Sequence, residues 1–70
     1  MRNLIKFNGN HYIVSSVLTS DHGYETMVFA SRADGQIIDG NDLYCEQYES
    51  ETEMVNHHGE IVSNPKDYIF

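Results

Sequence analysis

The sequence predicts an α+β fold: an antiparallel β-meander of three to five strands with one C-terminal amphipathic helix packed on one face. Alternating apolar and polar runs up to Tyr48 are separated by Asn8-Gly9, Ser20-Asp21-His22-Gly23 and Asp34-Gly35, and successive hairpin-type connections join neighbouring strands antiparallel. One stretch alone, Ser50 to Val62, has helical periodicity. A single helix covers only one face of a sheet, so the other face stays wet or meets a partner.

The first strand is expected at residues 3–7, closed by Asn8-Gly9 with positive φ at both turn positions. The second, His11 to Thr19, points Ile13, Ser15 and Val17 to one face and Tyr12, Val14, Ser16 and Leu18 to the other. The third, Tyr24 to Ser31, divides in the same way, with Met27 and Phe29 opposite Tyr24, Thr26, Val28 and Ala30. Gln36-Ile37-Ile38 pairs back briefly, Asp39-Gly40-Asn41-Asp42 reads as a loop, and Leu43 to Tyr48 is the last strand. Tyr12, Tyr24, Tyr44 and Tyr48 suit either a wet or a covered face.

The helix, about residues 51–62, opens on Ser50 as N-cap with Glu53 at capping-box spacing. Its apolar stripe is Met54, Val55, His58, Ile61 and Val62, with Glu51, Thr52, Asn56 and Glu60 facing away. Asn64-Pro65 ends it, because the residue before a proline is driven out of the helical region. In the tail, residues 63–70, Tyr68-Ile69-Phe70 is too apolar for a free terminus and is expected to pack on the sheet or a neighbouring subunit.

Seventy residues form one domain, and a chain of this size buries only about 60% of its unfolded surface, which favours self-association as a homodimer. The lone Cys45 excludes an internal disulfide and, in an apolar-patterned strand, reads as a small core residue. Without a signal-peptide or membrane-span pattern, the expectation is a soluble protein of the cytoplasm.

Charge is the strongest compositional feature. Four Lys/Arg against eleven Asp/Glu give a net charge of −7, and no basic residue lies between Ala33 and Pro65. Direct nucleic-acid binding is disfavoured, since it needs cations to displace counterions. An anionic face is drawn instead to a basic protein surface. Part of the acidity has a purely structural reading, because Glu51 and Glu53 fall in the first helical turn, where carboxylates offset the dipole.

No motif points to catalysis, a metal or another cofactor. His57 and His58 diverge on a helix, His11 and His22 lie near opposite ends of one strand, and no H-x-x-x-H or C-x-x-C pair occurs. His58 is expected as a half-buried histidine bonded to a sheet carbonyl or a tyrosine. Asp39-Gly40-Asn41-Asp42 with Glu46 lacks the alternating ligands of a calcium loop. No Ser/His/Asp order, phosphate loop or nucleotide fingerprint is present, and a non-enzymatic protein is expected.

Tyr24-Glu25-Thr26-Met27-Val28-Phe29, followed by Tyr48, Ser50, Glu53, His58 and Val62, resembles a pattern in small bacteriophage proteins. Those carry an E-T-M-V-F strand, a Gly/Asp loop and Y-x-[ST]-x-x-E-x-x-x-x-H-x-x-x-V. The resemblance spans about residues 14–62 and departs at His57, where a glycine is common, and in the tail beyond Val62. It implies phage or prophage origin, and hence a host-cytoplasmic setting, more than it implies a mechanism.

Size, acidity and the resemblance together predict a protein that works by binding. The leading expectation is an anti-defence inhibitor, anti-CRISPR-like, whose acidic half occupies a nucleic-acid-binding surface of a host immune effector as a DNA mimic. The partner would be a host protein with a basic surface, met through Asp39, Asp42, Glu46 and Glu49. The alternatives are an oligomeric sponge for a nucleotide immune signal, gripping phosphate through Arg2, Lys6 and Arg32, and a phage structural or assembly accessory that pairs through an open sheet edge.

Overall fold

The computed structural model describes residues 1–69. It contains four strands, β1 (Arg2–Phe7), β2 (Asn10–Thr19), β3 (Gly23–Ser31) and β4 (Ile37–Tyr48), then α1 (Glu51–Ser63) and a short 3-10 turn, Pro65–Asp67. The strands form one antiparallel sheet in the order β1-β2-β3-β4, a meander with β1 and β4 at its open edges. The α1 helix crosses one face and contacts β2, β3 and β4. The expected fold class is the observed one.

The turns follow local chemistry. Asn8 and Gly9 both take positive φ, 51° and 80°, as a two-residue hairpin of primed type requires. Between β2 and β3, Thr19 Oγ1 accepts from His22 N and donates to Gly23 O, both at 3.0 Å. Between β3 and β4, Asp34 Oδ1 accepts from Gln36 N at 3.0 Å, and Gly35 sits at φ 90°.

The edge strand β4 differs from expectation. Asp39-Gly40-Asn41-Asp42 is not a loop before a strand but lies inside a continuous β4. The register explains why it reads as a loop. Val28 faces Tyr44 and Phe29 faces Asp42, so Leu43 is extruded; the next pair is Ser31 with Ile37, and Ile38 to Asn41 bulge outward. An Asx bond from Asn41 N to Asp39 Oδ1 at 2.8 Å closes the bulge. Such a bulge blunts an edge that would otherwise template further pairing.

The core lies between sheet and helix. Val14, Val28, Ile61 and Ile69 form its buried centre, with Ile5, Phe7, Tyr12, Tyr44, Val62 and Tyr68 packed around them. Tyr12, Tyr44 and Tyr48 all face the helix side. Ser50 caps α1, its Oγ accepting from Glu53 N at 3.2 Å. Asn64 N closes the far end on Glu60 O at 2.8 Å. The turn at Pro65 then brings Tyr68 and Ile69 back onto the core of the same chain; Phe70, the last residue of the expected apolar tail, lies outside the described residues.

Two further expectations are corrected. Val55 is 39% exposed, because the stripe centres on Met54, His58 and Ile61 and Val55 falls about 100° around the helix from Met54. Cys45 is exposed rather than core, because it shares the helix-free face with Met27 and Ser15.

Candidate functional site

The helix-facing side of the sheet carries polar residues at positions where alternation calls for apolar ones. Asn3 on β1, Ser16 on β2 and Thr26 on β3 all point toward α1, and His58 descends from the helix onto them. Ser16 Oγ lies 2.6 Å from His58 Nδ1 and 2.6 Å from Thr26 Oγ1, and His58 Nε2 lies 2.7 Å from Asn3 Oδ1. Asn3 Oδ1 can only accept, so Nε2 carries the proton and Nδ1 is left as an acceptor. Ser16 O–H therefore donates to Nδ1, and Thr26 O–H donates to Ser16 Oγ. Burial, and secondarily the amino terminus of Met1, hold the His58 pKa below its usual 6.5.

His58 is thus fully buried, and its partners are two side chains rather than the carbonyl or tyrosine expected from the sequence. A serine, a histidine and an orienting side chain in line have the connectivity of a nucleophile and its base. Here Ser16 is 1% exposed and no pocket opens among the described residues. As folded, no substrate reaches Ser16 Oγ; the line joins three strands to the helix. The described residues also contain no group of three or more His, Cys, Asp or Glu side chains placed to hold a metal ion.

A second polar cluster sits where β4 meets α1. Glu46 Oε2 accepts from Tyr44 O–H at 2.6 Å and Tyr48 O–H at 3.1 Å, and lies 3.3 Å from His57 Nδ1. The Tyr44 bond holds Glu46 below the usual carboxylate range against an opposing effect of burial. Burial is the main cause that pushes the Tyr48 hydroxyl up to about 12, and it raises Tyr44 as well. The His57 ring also leans on Tyr48, with centroids 5.0 Å apart. His57 Nδ1 makes no aligned hydrogen bond although the atom is buried.

The four acidic residues expected to meet a partner therefore fall into two kinds. Asp39, Asp42 and Glu49 are exposed along β4 and just beyond its end, and make no ion pair with Lys or Arg among the described residues. Glu46 is half-buried and tied into the tyrosine cluster. Glu51, Glu53 and Glu60 extend the exposed acidic surface over the outer side of α1. Of the three cations considered for phosphate, Arg2 and Lys6 project from β1 on the helix-free face, and Arg32 opens the adjoining turn. Arg2 donates to Gly35 O at 3.3 Å.

Sequence reasoning found neither the His58 line nor the role of His57. Three polar residues at core-facing positions, together with a stripe histidine, were the available signal.

The fold and surface define an acidic sheet-and-helix module without a cleft among its described residues. Comparison with protein-family models, curated proteins and solved structures gave no match. No helix among the described residues is long and apolar enough to cross a membrane.

Proposed function

We propose that this is a phage-encoded binding protein, an anti-defence inhibitor whose acidic surface occupies a nucleic-acid-binding site of a host immune effector in the host cytoplasm. The observation that supports this reading is the placement of charge. Asp39, Asp42 and Glu49 follow the edge strand, and Glu51, Glu53 and Glu60 continue on the outer helix, all exposed and with no basic side chain from Ala33 to Pro65. Edge strand and helix thus both carry exposed carboxylates that a basic groove would attract, in a reading that needs neither catalysis nor a cofactor.

The test is salt-dependent binding to a CRISPR nuclease panel, in competition with the nuclease's own nucleic acid. Affinity should fall steeply with salt, and Asp39→Lys, Asp42→Lys and Glu49→Lys together should remove inhibition while the circular dichroism spectrum is retained. Glu46 is left out, because reversing it would break the tyrosine cluster. Retained inhibition in the folded triple variant would rule out mimicry of nucleic acid.

One observation favours the sponge as a second reading: Lys6 lies in a cross-strand row with His11 and Ser31, and Arg32 follows Ser31 in the chain, so the two cations belong to the same end of the sheet. That reading expects a nucleotide released on heating and lost on replacing Lys6 and Arg32.

A further inference from the structure

Along β1, half of the backbone hydrogen-bonding groups have no partner in the sheet. Ser16 N donates to Met1 O at 2.8 Å, and the Met1 amino group donates to Ser16 O at 2.9 Å. These two residues therefore exchange both bonds, and such pairs alternate along an antiparallel ladder. The register repeats the exchange at Asn3 with Val14, Ile5 with Tyr12 and Phe7 with Asn10. Arg2, Leu4 and Lys6 stand between them, with N–H and C=O directed away from β2. No turn or loop backbone among the described residues bonds to those six groups. The other edge is different, because β4 is bulged between Ile37 and Tyr44. β1 keeps one register through all six of its residues.

Side chains decide what can add to this edge. Arg2, Leu4 and Lys6 are exposed on the helix-free face, and neither cation makes an ion pair among the described residues. Cations on an edge strand deter pairing, and here they deter a second copy. Two β1 edges paired antiparallel about Leu4 would set the Arg2 of each copy against the Lys6 of the other, cation on cation. The same two charges attract carboxylates at the matching positions of a different strand. Leu4, 44% exposed, offers apolar contact between them, and Ile5 and Phe7 are half-buried on the helix side. The turn after β3 stands over the middle of the helix-free face, with Gly35 near Ile13 and Arg2 donating to Gly35 O. A strand added beside β1, in the plane of the sheet, does not compete with that turn.

We infer that the β1 edge is a docking site for an extended acidic segment of another protein, which adds antiparallel as a fifth strand. Five consecutive residues of the segment define the fit. The first and fifth are Asp or Glu, opposite Lys6 and Arg2, and the third is apolar, opposite Leu4. Main-chain bonds to Arg2, Leu4 and Lys6 hold the segment, and the two cations select it. The inference does not rest on the host-facing reading, because β1 lies at the opposite edge of the sheet from β4, which carries Asp39 and Asp42 and ends just before Glu49.

Amide hydrogen exchange by NMR and fluorescence anisotropy test it, with a labelled peptide whose core is E-V-V-V-E. In the free protein the Leu4 and Lys6 amides should exchange faster than those of Ile5 and Phe7, and saturating peptide should slow them about tenfold or more. Methylating the nitrogen of the central Val, which pairs with Leu4, should weaken binding about tenfold. Methylating the Val before it, whose N–H points away from β1, should leave binding close to that of the parent peptide. Leu4→Pro removes an N–H that β2 does not use, so it should keep the circular dichroism spectrum and lose the peptide. The variant R2E/K6E should prefer K-V-V-V-K. No binding at about 1 mM peptide, or equal affinity of the two methylated peptides, would overturn the site. So would Leu4 and Lys6 amides that become protected as the protein alone is concentrated, because a second copy would then cover the edge. Glu49→Lys separates the two readings: it should weaken host binding and leave peptide binding unchanged.

Discussion

Lowering the pH should loosen this fold well before its carboxylates protonate, and His58 is the reason. Its Nε2–H is committed to Asn3 and its Nδ1 must accept from Ser16, so the buried ring is held neutral. The folded-state pKa lies below the usual 6.5. The unfolded chain therefore binds a proton first as pH falls. Stability from this group is complete above about pH 6.5 and is lost as pH drops through and below that value, toward the folded pKa. The slope approaches about 1.4 kcal/mol per pH unit, so about pH 5.5 should cost up to roughly 1.4 kcal/mol relative to about pH 7.5. For a domain of this length that is a substantial share of a total near 4–10 kcal/mol. Glu46, also depressed but from a carboxylate value of 4.5, acts in a lower window: its contribution is present above that value and is lost below it. Urea unfolding followed by circular dichroism, at a series of pH values with constant m, reads the first window directly. His58→Gln cannot titrate and should flatten the slope between about pH 7.5 and 5.5, whatever its baseline stability. An unchanged slope in His58→Gln, or a flat wild-type profile, would refute the assignment of a neutral, depressed His58.

Two local predictions accompany it. Ser50→Ala removes the acceptor of Glu53 N and should cost about 1 kcal/mol, a fall of roughly 4–8 °C in Tm for a domain this small; an unchanged Tm would mean the cap carries no weight. Gly35→Ala meets only ordinary contact at Ile13, yet Gly35 sits at φ 90°, so backbone strain of about 1–2 kcal/mol should appear as a lower urea midpoint, and a midpoint equal to wild type would show that the turn relaxes.

The parts of the fold that were legible in the sequence are the local ones. Asn8-Gly9 announced its hairpin because few residue pairs tolerate two positive φ values in succession. Ser50, the 54/58/61 spacing and Asn64-Pro65 bounded the helix because capping and proline sterics act within one turn. The bulged half of β4 was not legible: Asp39-Gly40-Asn41-Asp42 has turn chemistry, and only pairing with Phe29 and Ser31 draws it into the strand. The His58 line was out of reach for the same reason, since its partners lie 42 and 55 residues away in the chain. Of the acidic candidates, only Glu46 needed the structure to be separated from the rest; its neighbours Tyr44 and Tyr48 sit two residues to either side, on the same face of the strand.

The buried polar line also answers a question that hydrophobic patterning leaves open, namely which face of β2 and β3 turns inward. Both faces of β2 carry β-branched residues, Ile13 and Val17 on one and Val14 on the other, and both faces of β3 are apolar in part, with Met27 and Phe29 opposite Val28. A one-residue slip would exchange these sets at little cost in apolar burial, although such a slip moves every side chain to the opposite face. It would also carry Ser16 and Thr26 away from the helix and leave the buried His58 without its serine partner, at about 1–3 kcal/mol for the stranded group. Val14, Val28, Ile61 and Ile69 supply much of the attraction between sheet and helix, but after a slip Ile13 and Phe29 would offer the helix apolar contact in place of Val14 and Val28. The Asn3–His58–Ser16–Thr26 line forms in only one, and that register is the one that places Arg2 and Lys6 on the helix-free face across from Asp42. In this chain the choice of surface is made by hydrogen bonds in the interior.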